Sequence, residues 1–161
     1  MEATARDENT IRARARAVAG AFAATLALGL VLTVAFEPDV QTADAAELVA
    51  RESDARSFFI ADYVFIALYA VLSPIAIWRY AAVAMPGPPW WILATVVLLP
   101  LAGLVDATEN ALLWSAAGSL SPDAVDGAHS LAIPKVALFV AGAVGSIAAL
   151  VHAIRTLRSG A

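Results

Sequence analysis

The sequence predicts an all-α protein, a polytopic membrane protein built as a four-transmembrane-helix bundle, and three observations carry that prediction. The 161 residues are 61% hydrophobic and only 15% charged, against about 45–50% and about 25% in soluble domains, and the mean hydropathy is +0.77. The excess is gathered into four apolar blocks, approximately 17–36, 57–80, 90–116 and 131–154, each near or above the ~20 residues that cross a hydrocarbon core. Aromatic residues flank the second and third blocks, as in the interfacial belts of membrane helices. No repeat of fixed period and no low-complexity linker divides the chain, so 1–161 reads as one membrane domain.

Residues 1–16 are polar and carry Arg6, Arg12, Arg14 and Arg16 ahead of the first block. A basic start before an apolar run also describes a signal peptide, but a signal's apolar region is about 7–15 residues. Block 17–36 is longer and reads as a first transmembrane helix, with cleavage near the alanines at 43–46 as the alternative. Thr25, Gly29, Thr33 and Glu37 recur every four residues. That small and polar stripe suits close approach between membrane helices and is expected to face the bundle. The acidic segment 37–56, whose excursion starts at Pro38, reads as a solvated connector, with a short amphipathic surface helix from Thr42 to Ala55 as the alternative.

The second block is edged by Phe58, Phe59 and Tyr63 at one end and Trp78 and Tyr80 at the other. Asp62 lies inside it and shares a face with Phe58, Phe65, Ile66, Tyr69 and Ser73. Pro74 is expected to kink this helix, with Ser73 serving a freed carbonyl. Met85-Pro-Gly-Pro-Pro89 breaks the chain before Trp90 and Trp91 open the third block, which holds Pro100 and the run Asp106-Ala-Thr-Glu109-Asn110. Residues 117–130 read as a loop. The fourth block has Pro134 in its first turn, where proline is tolerated, Lys135 beside it, and a seam of Gly142, Gly145, Ser146 and Ala149.

Counting cations by the positive-inside rule places Arg6, Arg12, Arg14, Arg16, Arg79, Arg155 and Arg158 on one side and only Arg51 and Arg56 on the other. Both termini are therefore expected in the cytoplasm, in a multi-pass protein of a cell's inner (plasma) membrane. With that orientation, Asp62, Asp106, Glu109 and Lys135 come from three helices. At ~1.5 Å rise per residue they fall roughly 6–15 Å below the outer face of a core about 30 Å thick. Glu37 is expected to cover that layer from the end of the first helix.

Ionisable groups within a membrane segment are costly and turn toward protein or a water-filled cavity. Asp106, Glu109 and Asn110, spaced i, i+3, i+4, share one helix face. Three acids against one lysine leave two uncompensated charges if all ionise, so at least one acid takes up a proton or a cation occupies the site. Lys135 is expected to pair with Asp106 or Glu109. The candidate ligand- or ion-binding residues are thus Asp62, Asp106, Glu109, Asn110, Lys135 and Glu37. The chain has no cysteine and only two histidines, His129 and His152, at opposite ends, so any metal would be a hard cation held by carboxylates. No cofactor is implied, and at a net charge of −4 no nucleic-acid partner is expected.

Asp62 in the second helix, Asp106-x-x-Glu109-Asn110 in the third and Lys135 in the fourth together resemble a pattern found in small bacterial four-helix membrane proteins. The resemblance covers most of the chain on short motifs. It implies a bundle with a shared polar site and brings no activity with it. High alanine and arginine usage also fits a bacterial source.

Three functional readings follow. The first is binding or transport of a proton, a cation or a small cationic or amphiphilic ligand from the outer side, within the lipid bilayer. Four helices are few for a complete pathway, so a homo-oligomer is expected. The second is a membrane-embedded acid/base enzyme acting on a lipid or other apolar substrate, with Asp62, Asp106 and Glu109 as candidate acid and base; no Gly-x-Ser-x-Gly nucleophile motif is present. The third is a structural or accessory subunit in which the polar network only sets the register of the helices.

Overall fold

The computed structural model describes residues 2–35, 43–85 and 87–159, with the side chains of the first helix described from Asp7 to Val34. Every element among them is helical: α1 (Glu2–Ala35), α2 (Ala45–Ala50), α3 (Glu52–Ile66), a π-helical segment (Ala67–Leu72), α4 (Ser73–Ala84), α5 (Trp90–Ser119) and α6 (Pro122–Arg158). Four stretches are long and apolar enough to cross a membrane: Asp7–Val34, Glu52–Ala84, Trp90–Ser119 and Pro122–Arg158. Their outward faces are apolar, as at Leu30, Val34, Leu104, Ile133 and Val144, which is the exterior that lipid requires.

The helices run further than the apolar blocks because their polar ends are locally supported. Arg12 and Glu8 form an i, i+4 pair at 3.9 Å in the polar start of α1, the spacing at which opposite charges support a helix. In α2, Asp44 accepts from the amides of Ala46 and Glu47 while Glu47 reaches back to the Asp44 amide, a reciprocal cap. The expected loop 117–130 is mostly helix. Leu120 takes a left-handed conformation at φ 48°, and Pro122 and Asp123 in the first turn of α6 restart the helix at once, proline because its missing N–H is not needed there and aspartate because it meets the positive helix end.

The start of α1 and the end of α6 lie at the same end of the bundle. There Arg14 donates to the Arg79 carbonyl at 2.7 Å, and Glu8 and Arg12 share a cleft with Thr156 and Ser159. The α2 segment lies at the opposite, loop end. Three apolar clusters stack between the ends. At the loop end Leu48, Phe58, Phe59, Leu113 and Val125 pack together. Ile66, Tyr69, Ala70, Leu99 and Ala102 form the middle, and Val18, Ile77, Tyr80, Ile92 and Ala149 the terminal end. Helices α5 and α6 make the most extensive contact. Gly142 and Gly145 allow it: a Cβ on Gly142 would lie 2.7 Å from Leu99, and one on Gly145 would run into the Thr95 hydroxyl. Helix α1 is the least embedded, with 11% of its apolar stretch buried against 28–39% for the other three.

Candidate functional site

The polar residues fill the layer between the loop-end and middle clusters. Asp62 comes from α3, Asp106, Glu109 and Asn110 from α5, and Lys135 from α6. The Lys135 ammonium lies 2.6 Å from Glu109 Oε2 and 3.2 Å from Asp106 Oδ1. Those two carboxylate oxygens have no other partner, so the one ammonium serves both acids. The Asn110 amide nitrogen donates to Asp62 Oδ2 at 2.7 Å, and the Tyr69 hydroxyl donates to the second Asp106 oxygen at 2.9 Å. Asp62, Asp106, Glu109 and Asn110 are all buried, Asn110 completely.

Tyr69 reaches this layer because the chain departs from α-helix. Between Ala67 and Leu72 the turn widens to π geometry, and the Ser73 amide bonds the Leu68 carbonyl, five residues back. The widened turn ends at Pro74, which has no N–H with which to continue an α-helical ladder. Opposite it stands Gly103, where a Cβ would collide with the Ala70 side chain. A bare backbone at Gly103 therefore lets α5 close onto the π segment and brings Asp106, three residues on, within reach of the Tyr69 hydroxyl.

Beside the ionic layer is a cavity of about 430 Å³ bounded by α1, α3, the π segment, α5 and α6. Its lining combines Asp62, Asp106 and Lys135 with Phe58, Phe65, Tyr69 and Phe139. The rings are mutually braced: Phe65 and Tyr69 centroids are 5.2 Å apart, and Tyr69 meets Phe139 edge-on at 5.1 Å. Helix α1 lines one side of the cavity, which is partly open, with Gly29, Leu32 and Thr33. Gly29 fits closely, since a Cβ there would stand 3.2 Å from the Phe65 ring.

Five of the six residues singled out from the sequence thus lie together, and Lys135 pairs with both of its candidate partners rather than one. Glu37, the sixth, lies outside the described residues. Ser73 does not turn to a freed carbonyl; its hydroxyl lies 3.4 Å from that of Thr25 on α1, because the π register accommodates Pro74. His129 is exposed on α6, and His152 Nδ1 is 2.7 Å from the Tyr80 hydroxyl at the terminal end. Among the described residues no group of three His, Cys, Asp or Glu side chains is placed to hold a metal ion. The sequence places Tyr69 on the Asp62 face without marking it as a site residue, and Phe139 carries no mark of its own. Tyr69 lies on the Asp62 face two turns on, and Phe139 one turn after Lys135; each spacing was the available signal, but aromatic residues at such spacing in an apolar helix ordinarily read as packing.

No described protein family, curated protein or solved structure matches the chain.

Proposed function

We propose that this is an integral membrane protein that binds a small organic cation in the acidic, aromatic cavity, with Asp62 as the counter-charge. One observation carries the reading: Asp62 lines the cavity with only a neutral amide bonded to it, while Lys135 is engaged by Asp106 and Glu109. The donating amide suits an ionised Asp62, and it is in that form that Asp62 serves as counter-charge. The layer then holds three carboxylates and one ammonium, and a cation beside Asp62 reduces the imbalance. Aromatic faces add attraction for an ammonium, most strongly where water is excluded. The cavity volume lies within the usual 300–1,000 Å³ of small-molecule sites.

Binding is favoured over conduction because the groups beneath the cavity are apolar apart from a few hydroxyls. It is favoured over acid/base chemistry because two of the three candidate acids, Asp106 and Glu109, face one shared ammonium, which leaves Asp62 without a second unpaired acid. The arginine distribution supports cytoplasmic termini in a bacterial inner membrane, with the cavity toward the outer leaflet.

Thermal unfolding of purified protein with tetramethylammonium, sodium, potassium and magnesium at matched ionic strength tests this. Tetramethylammonium is expected to raise the melting temperature of the wild type and to leave Asp62→Asn unchanged. Equal stabilisation of both by tetramethylammonium, or of neither, refutes the reading.

A further inference from the structure

A second cavity, of about 200 Å³, lies toward the terminal end, and its lining is mostly apolar: Phe22, Leu26, Ile77, Leu99 and Ala143 among others, with hydroxyls on Thr25, Tyr69, Ser73 and Ser146. The two cavities share two walls, Tyr69 and Phe139. These are the same rings that meet edge-on, 89° apart in plane, so among the described residues an aromatic pair is what the two linings have in common. One face of α1 covers both. Val18, Phe22 and Thr25 line the apolar cavity, and Gly29 and Leu32 the acidic one.

We infer that the two cavities are compartments of one site for a single-chain cationic amphiphile. Its ammonium head lies beside Asp62, its aliphatic chain runs along α1 into the apolar compartment, and the Tyr69–Phe139 pair parts to let it through. The inference rests on the cation reading above and narrows the ligand class. From Gly29 to Val18 the covering face of α1 runs for about 16 Å at ~1.5 Å per residue, a length that suits a dodecyl chain. An anionic or zwitterionic head would set negative charge against Asp62 and Asp106, and a second acyl chain would exceed the smaller compartment. Helix α1, the least embedded of the four, is the wall whose displacement admits a chain from the lipid. The Tyr69 hydroxyl is held by Asp106, which couples the partition to the ionic layer.

A chain moving from lipid into an apolar cavity gains little hydrophobic energy, because lipid tails are equally apolar. The cavity therefore selects the chain rather than adding affinity, and the test compares variants at constant membrane partitioning. Binding of tetramethylammonium and of dodecyltrimethylammonium would be measured in phosphatidylglycerol nanodiscs for wild type, Asp62→Asn and Ala143→Phe. Asp62→Asn is expected to weaken both ligands. Ala143→Phe fills the apolar compartment and is expected to weaken the dodecyl ligand about ten-fold or more, as overpacking does, while leaving tetramethylammonium unchanged. If Asp62→Asn weakens tetramethylammonium but Ala143→Phe affects neither ligand, the chain lies elsewhere and this inference falls while the cation reading stands. If Asp62→Asn affects neither, both fall. Should Ala143→Phe not fold, wild type suffices. A nitroxide at the chain terminus is expected to broaden the methyl resonances of Ile77 and Leu99 and spare the lipid-facing Ile133; the reverse pattern overturns the inference.

Discussion

Replacing Lys135 with methionine removes the ammonium from between Glu109 and Asp106, 2.6 and 3.2 Å away, while keeping an unbranched stem of similar length. The side chains involved are only 14%, 3% and 8% exposed, so water does little to replace the lost charge. Breaking a buried ion pair by removing one partner costs about 3–5 kcal/mol. At ~2–4 °C per kcal/mol for a chain of this size, the melting temperature should fall by roughly 6–20 °C. The loss comes from two stranded carboxylates rather than from a missing attraction, so neutralising them should reverse it. The triple variant Lys135→Met/Asp106→Asn/Glu109→Gln is expected to recover most of the wild-type stability, as uncharged replacements of buried ionic groups often do. Melting curves followed by tryptophan fluorescence provide the assay. A single variant that melts within roughly 2 °C of wild type at pH 8, or a triple variant no more stable than the single one, refutes the argument.

Four further outcomes are expected. Gly103→Ala forces α5 off the π segment and should cost about 1–3 kcal/mol, whereas Gly20→Ala, with nothing within 4 Å of the new Cβ, should be neutral or stabilise by up to ~1 kcal/mol; denaturant titration of the pair checks both. Tyr69→Phe keeps the ring contacts and removes the hydroxyl from Asp106, with an expected loss of about 1.5–3 kcal/mol, and a double-mutant cycle with Asp106→Asn should show the two changes to be non-additive. Leu120→Gly relieves a left-handed leucine and should stabilise by about 1 kcal/mol, read as a higher melting temperature. Because the chain has no cysteine, Ser53→Cys and Ser159→Cys give unambiguous labels; an impermeant maleimide on intact cells should modify position 53 only, and labelling of position 159 would overturn the proposed orientation.

The four apolar blocks and the breaks between the first three were legible in the sequence because spanning a membrane demands a long uniform run, a property of composition that no partner can alter. Helix ends were less legible. Residues 117–130 look like a loop by their glycine, proline and aspartate content, but Pro122 and Asp123 are favourable in a first helical turn, and only the Leu120 corner is irregular. The meeting of Asp62, Asp106, Glu109, Asn110 and Lys135 could be anticipated because charged groups in a membrane segment have few other places to go, and their depths along antiparallel helices coincide. The sequence therefore determined the architecture and the members of the ionic layer. Only the tertiary structure decided that one ammonium serves two acids, that a π turn against Gly103 brings Tyr69 onto Asp106, and that Phe65, Tyr69 and Phe139 leave a cavity beside Asp62. Those depend on sub-ångström register between helices and on which side chain fills which gap, and no spacing within a single helix encodes either.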